Sequence, residues 1–342
     1  MNGISNNTRP SFLITVDTEC DNLWSSSDKI TTENSKYISR FQRLCEKYQL
    51  RPTYLVDYDM ANCPIFRALA KGLIANGAAE IGMHLHSWRT PPEYKITDCD
   101  AKYKPYLTEF PVEIMDKKIK YMTMILEDVF GVKVVSHRAG RWDLNEQYVE
   151  ILEKYGYKID CSVTPHVTWK NSPGLPGGSG GADYRGFHDY GYFMDKDDIS
   201  KISNSGILEL PVSIINQSSK IVDQIRKVPV ISRFANKMNP RVIWLRPNGK
   251  NLKHMKKIIR KSIYEKKGYI EFMIHSSELM PSGSPTFKTI SSINKLYSDL
   301  EKLYFFAENI FTGRTLNEHY MKYFEDKERS PYETDGNDAI EG

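Results

Sequence analysis

Short apolar runs rich in β-branched and aromatic residues alternate along the chain with stretches whose apolar residues recur at helical spacing. That alternation predicts a parallel sheet joined by crossover helices. The first run is Phe12 to Val16, and behind it Tyr37, Phe41, Leu44, Cys45 and Tyr48 share one face at i, i+4, i+7, i+8 and i+11. Pro52 sets up a second strand over Thr53 to Val56, and the helix after it stops near Asn76-Gly77, a favourable C-terminal pair. Ala79 to Met83 reads as the third strand. An excursion to about Phe110 follows, then a helix opened by Pro111 and closed at Phe130-Gly131. Further strands are predicted over Lys133 to Ser136, Tyr157 to Cys161, Ile207 to Val212 and Tyr269 to Ile274, with helices over Asn145 to Tyr155 and about Thr289 to Asn309, the last closing the chain.

Seven strands alternating with helices favour a closed or nearly closed α/β barrel over an open doubly wound sheet, as one domain over residues 11–325. Residues 1–10 read as a polar arm and 326–342 as a disordered acidic tail. The Gly/Pro-rich segment 171–191 is expected to be neither helix nor strand, serving either as a lid or as a mobile surface loop.

Composition narrows the class. The 342 residues are 40% hydrophobic and 26% charged, which excludes a disordered chain. No apolar run reaches the length of a membrane-spanning helix, and the polar start MNGISNNTRP does not read as a signal peptide. Five scattered cysteines with no C-x-x-C read as reduced thiols of a cytoplasmic protein. The net charge of +4 is too mild to imply nucleic acid, but it is unevenly spread: residues 217–267 hold 15 Lys and Arg against Asp223 and Glu265, leaving −9 for the rest. In that segment Leu252, Met255, Ile259 and Ile263 form an apolar helical stripe. The helix is either solvated and packed by this stripe, or it attracts an anionic surface such as a lipid-linked sugar pyrophosphate or the inner membrane face.

Candidate chemistry sits where the strands end. The first strand runs into Asp17 and Glu19, the third into His84 and His86, the fourth into His137, Arg138, Arg141 and Trp142, the fifth carries Asp160, and the seventh runs into His275. In a parallel barrel these ends share one face, the face that carries chemistry. Carboxylate with imidazole suits a divalent ion such as zinc with one position open. Asp17 and Glu19, two residues apart, point the same way on an extended segment, which suggests one metal ligand and one general base. Each pair alone also fits an ordinary reading, a capping turn or a polar loop; their coincidence at matching strand ends favours the site.

The set LITVDTE, EIGMHLH, HRAGRW and FMIHSSEL, with likeness over residues 11 to 310, resembles the NodB-type polysaccharide deacetylases of carbohydrate esterase family four. The resemblance is closest to their WalW-like subgroup, found among surface-polysaccharide genes. It implies a distorted (β/α)7 barrel and a hydrolase of carbon–nitrogen bonds that removes N-acetyl groups from a sugar with a divalent metal, zinc foremost. It implies Asp17 as catalytic base, Arg138 as its partner, His275 as general acid, and Glu19, His84 and His86 as metal ligands. Two positions depart from the family form: its first-motif acids are adjacent aspartates, and its histidines stand four apart, whereas here position 88 is Trp88. Asp160 either orients His275 or caps its own turn. Arg141, Trp142 and Arg246 (in the stretch Ile243-Trp244-Leu245-Arg246-Pro247) are candidates for the sugar, Arg246 otherwise being a solvated arginine. The implied substrate is an N-acetylated sugar or a lipid- or nucleotide-linked saccharide, met in the cytoplasm or at the inner membrane face. Two alternatives stay open, a hydrolase of a non-sugar amide on the same barrel and a non-catalytic sugar-binding member.

Overall fold

A computed structural model describes residues 9–24, 30–217 and 241–329, with side chains to 325. The seven predicted strands all form and run parallel: β1 (Ser11–Thr18), β2 (Pro52–Val56), β3 (Glu80–Leu85), β4 (Ser136–Ala139), β5 (Ile159–Asp160), β6 (Leu208–Glu209) and β7 (Tyr269–His275), in the order β7-β1-β2-β3-β4-β5-β6. Every residue of β1 is buried, as a strand at the centre of a two-faced parallel sheet requires. Crossover helices cover the outer face: α1 (Ser35–Lys47), α2 (Pro64–Ala75), α3 (Val112–Phe130), α4 (Glu146–Lys154), α5 (Leu252–Tyr264) and α6 (Ile290–Ala307). On α3, Ile119, Met122 and Leu126 are fully buried at i, i+3 and i+7, each worth about 1.5–3 kcal/mol of transfer free energy. The helix stops at Gly131, whose φ of +70° is the left-handed cap that glycine adopts without strain.

The barrel is distorted because β6 and β7 do not form a ladder. Pro211, just past β6, has no N–H to offer one. Closure instead comes through single bonds: Ser213 N donates to Glu271 O (3.2 Å), Leu245 N to Ser213 O (2.9 Å) and Met273 N to Leu245 O (3.2 Å). The segments that supply these bonds lead into an antiparallel pair, Ile214–Asn216 with Val242–Trp244.

Two expectations change. The fourth strand lies later than its predicted span, so His137 and Arg138 are inside it rather than beyond it. The chain also does not close on α6: Thr312–Arg314 pairs with the start of β1, and a helix follows over Leu316–Arg329. Helical backbone therefore occupies the start of the expected 326–342 tail. Residues 330–342, 1–8 of the arm and 218–240 of the basic segment lie outside the described residues.

Candidate active site

Strand register decides which side chains meet. Asp17 pairs with His275 across β1 and β7, and His84 with Arg138 across β3 and β4, all on the barrel interior. His137 alternates to the opposite, helix-facing side, where it pairs with Asp160.

Asp17 accepts a hydrogen bond from Arg138 Nη1 at 2.6 Å, and its Oδ2 stands 3.6 Å from His275 Nε2. Burial alone would raise the Asp17 carboxyl, but Arg138, His84 and His275 together hold it below the ordinary carboxylate range. Arg138 is fully buried and also donates to Cys161 O (3.0 Å) and to Glu271. Thr15 Oγ1 donates to the same Glu271 carboxylate at 2.8 Å.

Burial pushes the Glu271 carboxyl up to about 7 from 4.5, with Arg138 and Thr15 opposing. Between those values the folded chain keeps a proton that the unfolded chain has lost, so this group disfavours folding progressively as pH rises through the window. Glu271→Gln should therefore gain stability relative to the native sequence between pH 4.5 and 8. Urea midpoints at the two ends check the sign.

Beyond Asp17 the chain turns Glu19 toward the two histidines. Glu19 Oε2 lies 3.6 Å from His84 Nε2 and 3.4 Å from His86 Nε2, with the three ligand atoms within 4.8 Å of one another. Donors bound at about 2.0–2.2 Å to a tetrahedral ion stand about 3.3–3.6 Å apart, so this set fits a divalent cation. Glu19 Oε2 and both His86 ring nitrogens are buried with no hydrogen-bond partner among the described residues, a costly arrangement that a cation would relieve. His84 Nδ1 is 3.1 Å from Arg138 O, the kind of outer bond that leaves Nε2 for the metal. His86 Nδ1 stands 3.7 Å from Asp57. The two-residue histidine spacing thus reaches one point in space, because His84 and His86 share the inward face.

His86 depends on a glycine beside it. A Cβ on Gly140 would clash with Leu85 O and come 2.6 Å from His86 Cδ2. Gly140→Ala should cost about 1–3 kcal/mol and displace the imidazole, which denaturation and metal titration would both register.

The other wall is built around His275. Arg246 Nη2 is 2.9 Å from His275 Nδ1 and donates to Glu278 Oε1 (3.1 Å), and Glu278 Oε2 accepts from His275 N at 3.0 Å. Burial opposes ionisation of Glu278, yet Arg246 and His275 bring its carboxyl down to about 2. Arg246 is thus built into the wall instead of being solvated. Arg246 Nη2 at 2.9 Å and Glu278 Oε2 at 3.4 Å both lie against His275 Nδ1, which leaves Nε2 to face Asp17 at 3.6 Å.

Asp160 does not orient His275. Its Oδ2 is 2.5 Å from His137 Nδ1 and accepts from Ser162 Oγ at 2.9 Å, while His137 Nε2 is 2.9 Å from Tyr148 OH on α4. This network is fully buried on the helix-facing side. Asp160→Asn should lower stability by about 1–3 kcal/mol while leaving kcat per folded molecule within about twofold, measured on protein scaled by its folded fraction.

Arg141, Trp142 and Arg246 line the same cavity as Asp17 and His275, and Arg141 is also tied to the wall. Its guanidinium donates to the carbonyls of Lys104, Ser172 (3.3 Å) and Pro173 (3.2 Å) and lies over Tyr106, so it staples the 171–191 loop to the wall. Trp142 is buried, with Trp169 parallel at 6.4 Å, Trp244 edge-on at 6.0 Å and Arg138 over its ring at 4.9 Å. Trp24 had no sequence signal. Its indole N–H donates to Glu19 Oε1 at 2.7 Å, turning Oε2 toward the histidines. Asp17, Trp24, His84, Tyr106, Trp169 and His275 are among the residues lining one cavity of about 440 Å³.

Fold and site together define a class: a (β/α)7 barrel with a three-residue set that could hold a metal ion beside a buried carboxylate–guanidinium pair. No protein-family model and no curated protein matches the sequence. Among solved structures the chain is similar to a Mycobacterium smegmatis protein assigned as a polysaccharide deacetylase, at 13% identity and TM-score 0.50, covering 93% of this chain and 95% of that one. It is also similar to the 4-alpha-glucanotransferase of Thermococcus litoralis (13% identity, TM-score 0.49, 91% of this chain and 38% of that one). A third is a peptidoglycan deacetylase mutant from Bacillus subtilis (10% identity, TM-score 0.43, 95% and 96%). The first of these shows the fold to be the polysaccharide deacetylase barrel.

Proposed function

We propose that this chain is a NodB-type deacetylase of carbohydrate esterase family four, WalW-like, which hydrolyses the N-acetyl amide of an amino sugar in a surface-polysaccharide precursor with the help of zinc. One observation carries the reading: Asp17 with Arg138, the Glu19–His84–His86 set and His275 all meet at one cavity. A bound divalent ion supplies Lewis acidity toward the acetyl carbonyl and lowers the pKa of water. Asp17, kept ionised by Arg138, accepts the proton of the attacking water. His275, as the imidazolium with Glu278 Oε2 3.4 Å from Nδ1, gives its Nε2 proton to the leaving nitrogen as the C–N bond breaks and becomes neutral imidazole, so that amide and water become amine and acetate. Trp24, Tyr106 and Trp169 give the cavity aromatic walls on which a sugar ring can stack.

The proposed setting is the cytoplasm, at the inner membrane face. It is supported by five free cysteines and by Lys253, Lys257 and Arg260 on the exposed side of α5. Among the described residues no helix is long and apolar enough to cross a membrane.

Acetate release tests the reading, comparing N-acetylhexosamine conjugates with ureide-type cyclic amides. Release from the sugars alone is the expected result. Hydrolysis of the cyclic amide alone moves the chain to another enzyme class, and inertness toward both with metal bound leaves a sugar-binding protein.

A further inference from the structure

A second cavity, of about 340 Å³, opens beside the first and shares Arg246, Glu278 and Thr286 with it, so the two form one continuous cleft. Its remaining lining includes Asn248, Asn251, His254 and Trp244. The hydrogen-bonding groups here are unevenly spent. Arg246 commits Nη2 to His275 and Glu278, leaving Nε and Nη1 without a partner among the described residues. Asn248 accepts from Lys250 N through Oδ1 (2.9 Å), and its Nδ2 has no partner there. His254 makes no hydrogen bond or ion pair among the described residues. Among the described lining residues the one carboxylate, Glu278, is buried and already engaged by Arg246 and the His275 N–H.

The chain segment that supplies most of this lining is basic. Residues 241–264 hold eight Lys and Arg and no Asp or Glu. Lys250, Lys253, Lys257 and Arg260 are exposed along the outer side of this cleft segment and α5. Unspent donors, a guanidinium and a field of positive charge suit an oxyanion with several acceptor oxygens.

We propose that this second cavity seats the phosphate or diphosphate group of a carrier-linked sugar whose N-acetylated ring occupies the first cavity. The inference rests on the deacetylase reading for the ring and on the second cavity alone for the phosphate. Arg246 would then join the two subsites, one donor on His275 and the others toward phosphate.

Acetate release from methyl N-acetylglucosaminide and from N-acetylglucosamine 1-phosphate supplies the test, with nucleotide-diphosphate and polyprenyl-diphosphate sugars as arms that tell the carriers apart. The phosphate should lower KM by roughly tenfold or more with kcat little changed. Asn248→Asp, which keeps the acceptor for Lys250 N but adds a negative charge, should abolish that advantage and leave the methyl glycoside unaffected. Equal KM values for the two sugars, or an unaltered phosphate preference in Asn248→Asp, would overturn the proposal while leaving the deacetylase reading in place. If neither sugar loses acetate, the deacetylase reading fails instead. The subsite is then decided by calorimetry with inorganic pyrophosphate, which must bind the native chain at least tenfold more tightly than Asn248→Asp; equal binding rejects it.

Discussion

Asp17→Asn is expected to lower kcat/KM for N-deacetylation by roughly 10²–10⁴-fold without unfolding the chain or emptying the metal centre. The amide is isosteric, and its oxygen can still accept from Arg138 Nη1, which lies 2.6 Å from the native carboxylate. What it loses is basicity. The metal set of Glu19, His84 and His86 does not include Asp17, so metal content should be unchanged. Steady-state kinetics alongside metal analysis separates the two effects. Full activity in the variant would mean that another group takes the proton, and the assignment of Asp17 would be wrong.

The largest stability effect is expected at Arg138. Its guanidinium is wholly buried and bonded to Asp17, Glu271 and the Cys161 carbonyl. Arg138→Met fills much of the same space but strands the buried Asp17 carboxylate and leaves Glu271 to stay protonated in the fold, a loss of about 3–5 kcal/mol when one partner of a buried pair is removed. A urea titration should show the midpoint falling accordingly. Adding Glu271→Gln should return part of the loss, because it removes the cost of keeping a carboxyl protonated in the fold, which grows when Arg138 is gone. A double variant as unstable as the sum of the singles would show that Glu271 and Arg138 do not act together.

The sheet was legible from the sequence because its signals are local. All seven parallel strands were marked by apolar runs, and the rule that parallel barrels place chemistry at strand ends brought Asp17, Glu19, His84, His86, Arg138 and His275 to one mouth. What stayed hidden was register. Placing the fourth strand three residues early put His137 and Arg138 together in a loop, where adjacent residues can share a target. Inside a strand they must face opposite ways, so Arg138 reaches Asp17 while His137 takes Asp160 to the helix side. Glu271 did leave a trace, a lone carboxylate in the apolar strand Tyr269–His275. Trp24 left none, because its bond to Glu19 depends on the path of an irregular turn. Arg246 was legible as a candidate for the sugar, but its partners His275 and Glu278 were not, because they lie 29 and 32 positions away.

The metal centre is the claim on which the rest depends, and His86 is its least conventional member. Calorimetric titration of zinc into the native chain and into His86→Ala tests it most directly. One ion per native chain is predicted, with affinity falling at least about 100-fold in the variant, in keeping with the orphaned imidazole 3.4 Å from Glu19. Equal affinity for zinc in the two proteins, or no binding by the native chain, would contradict it.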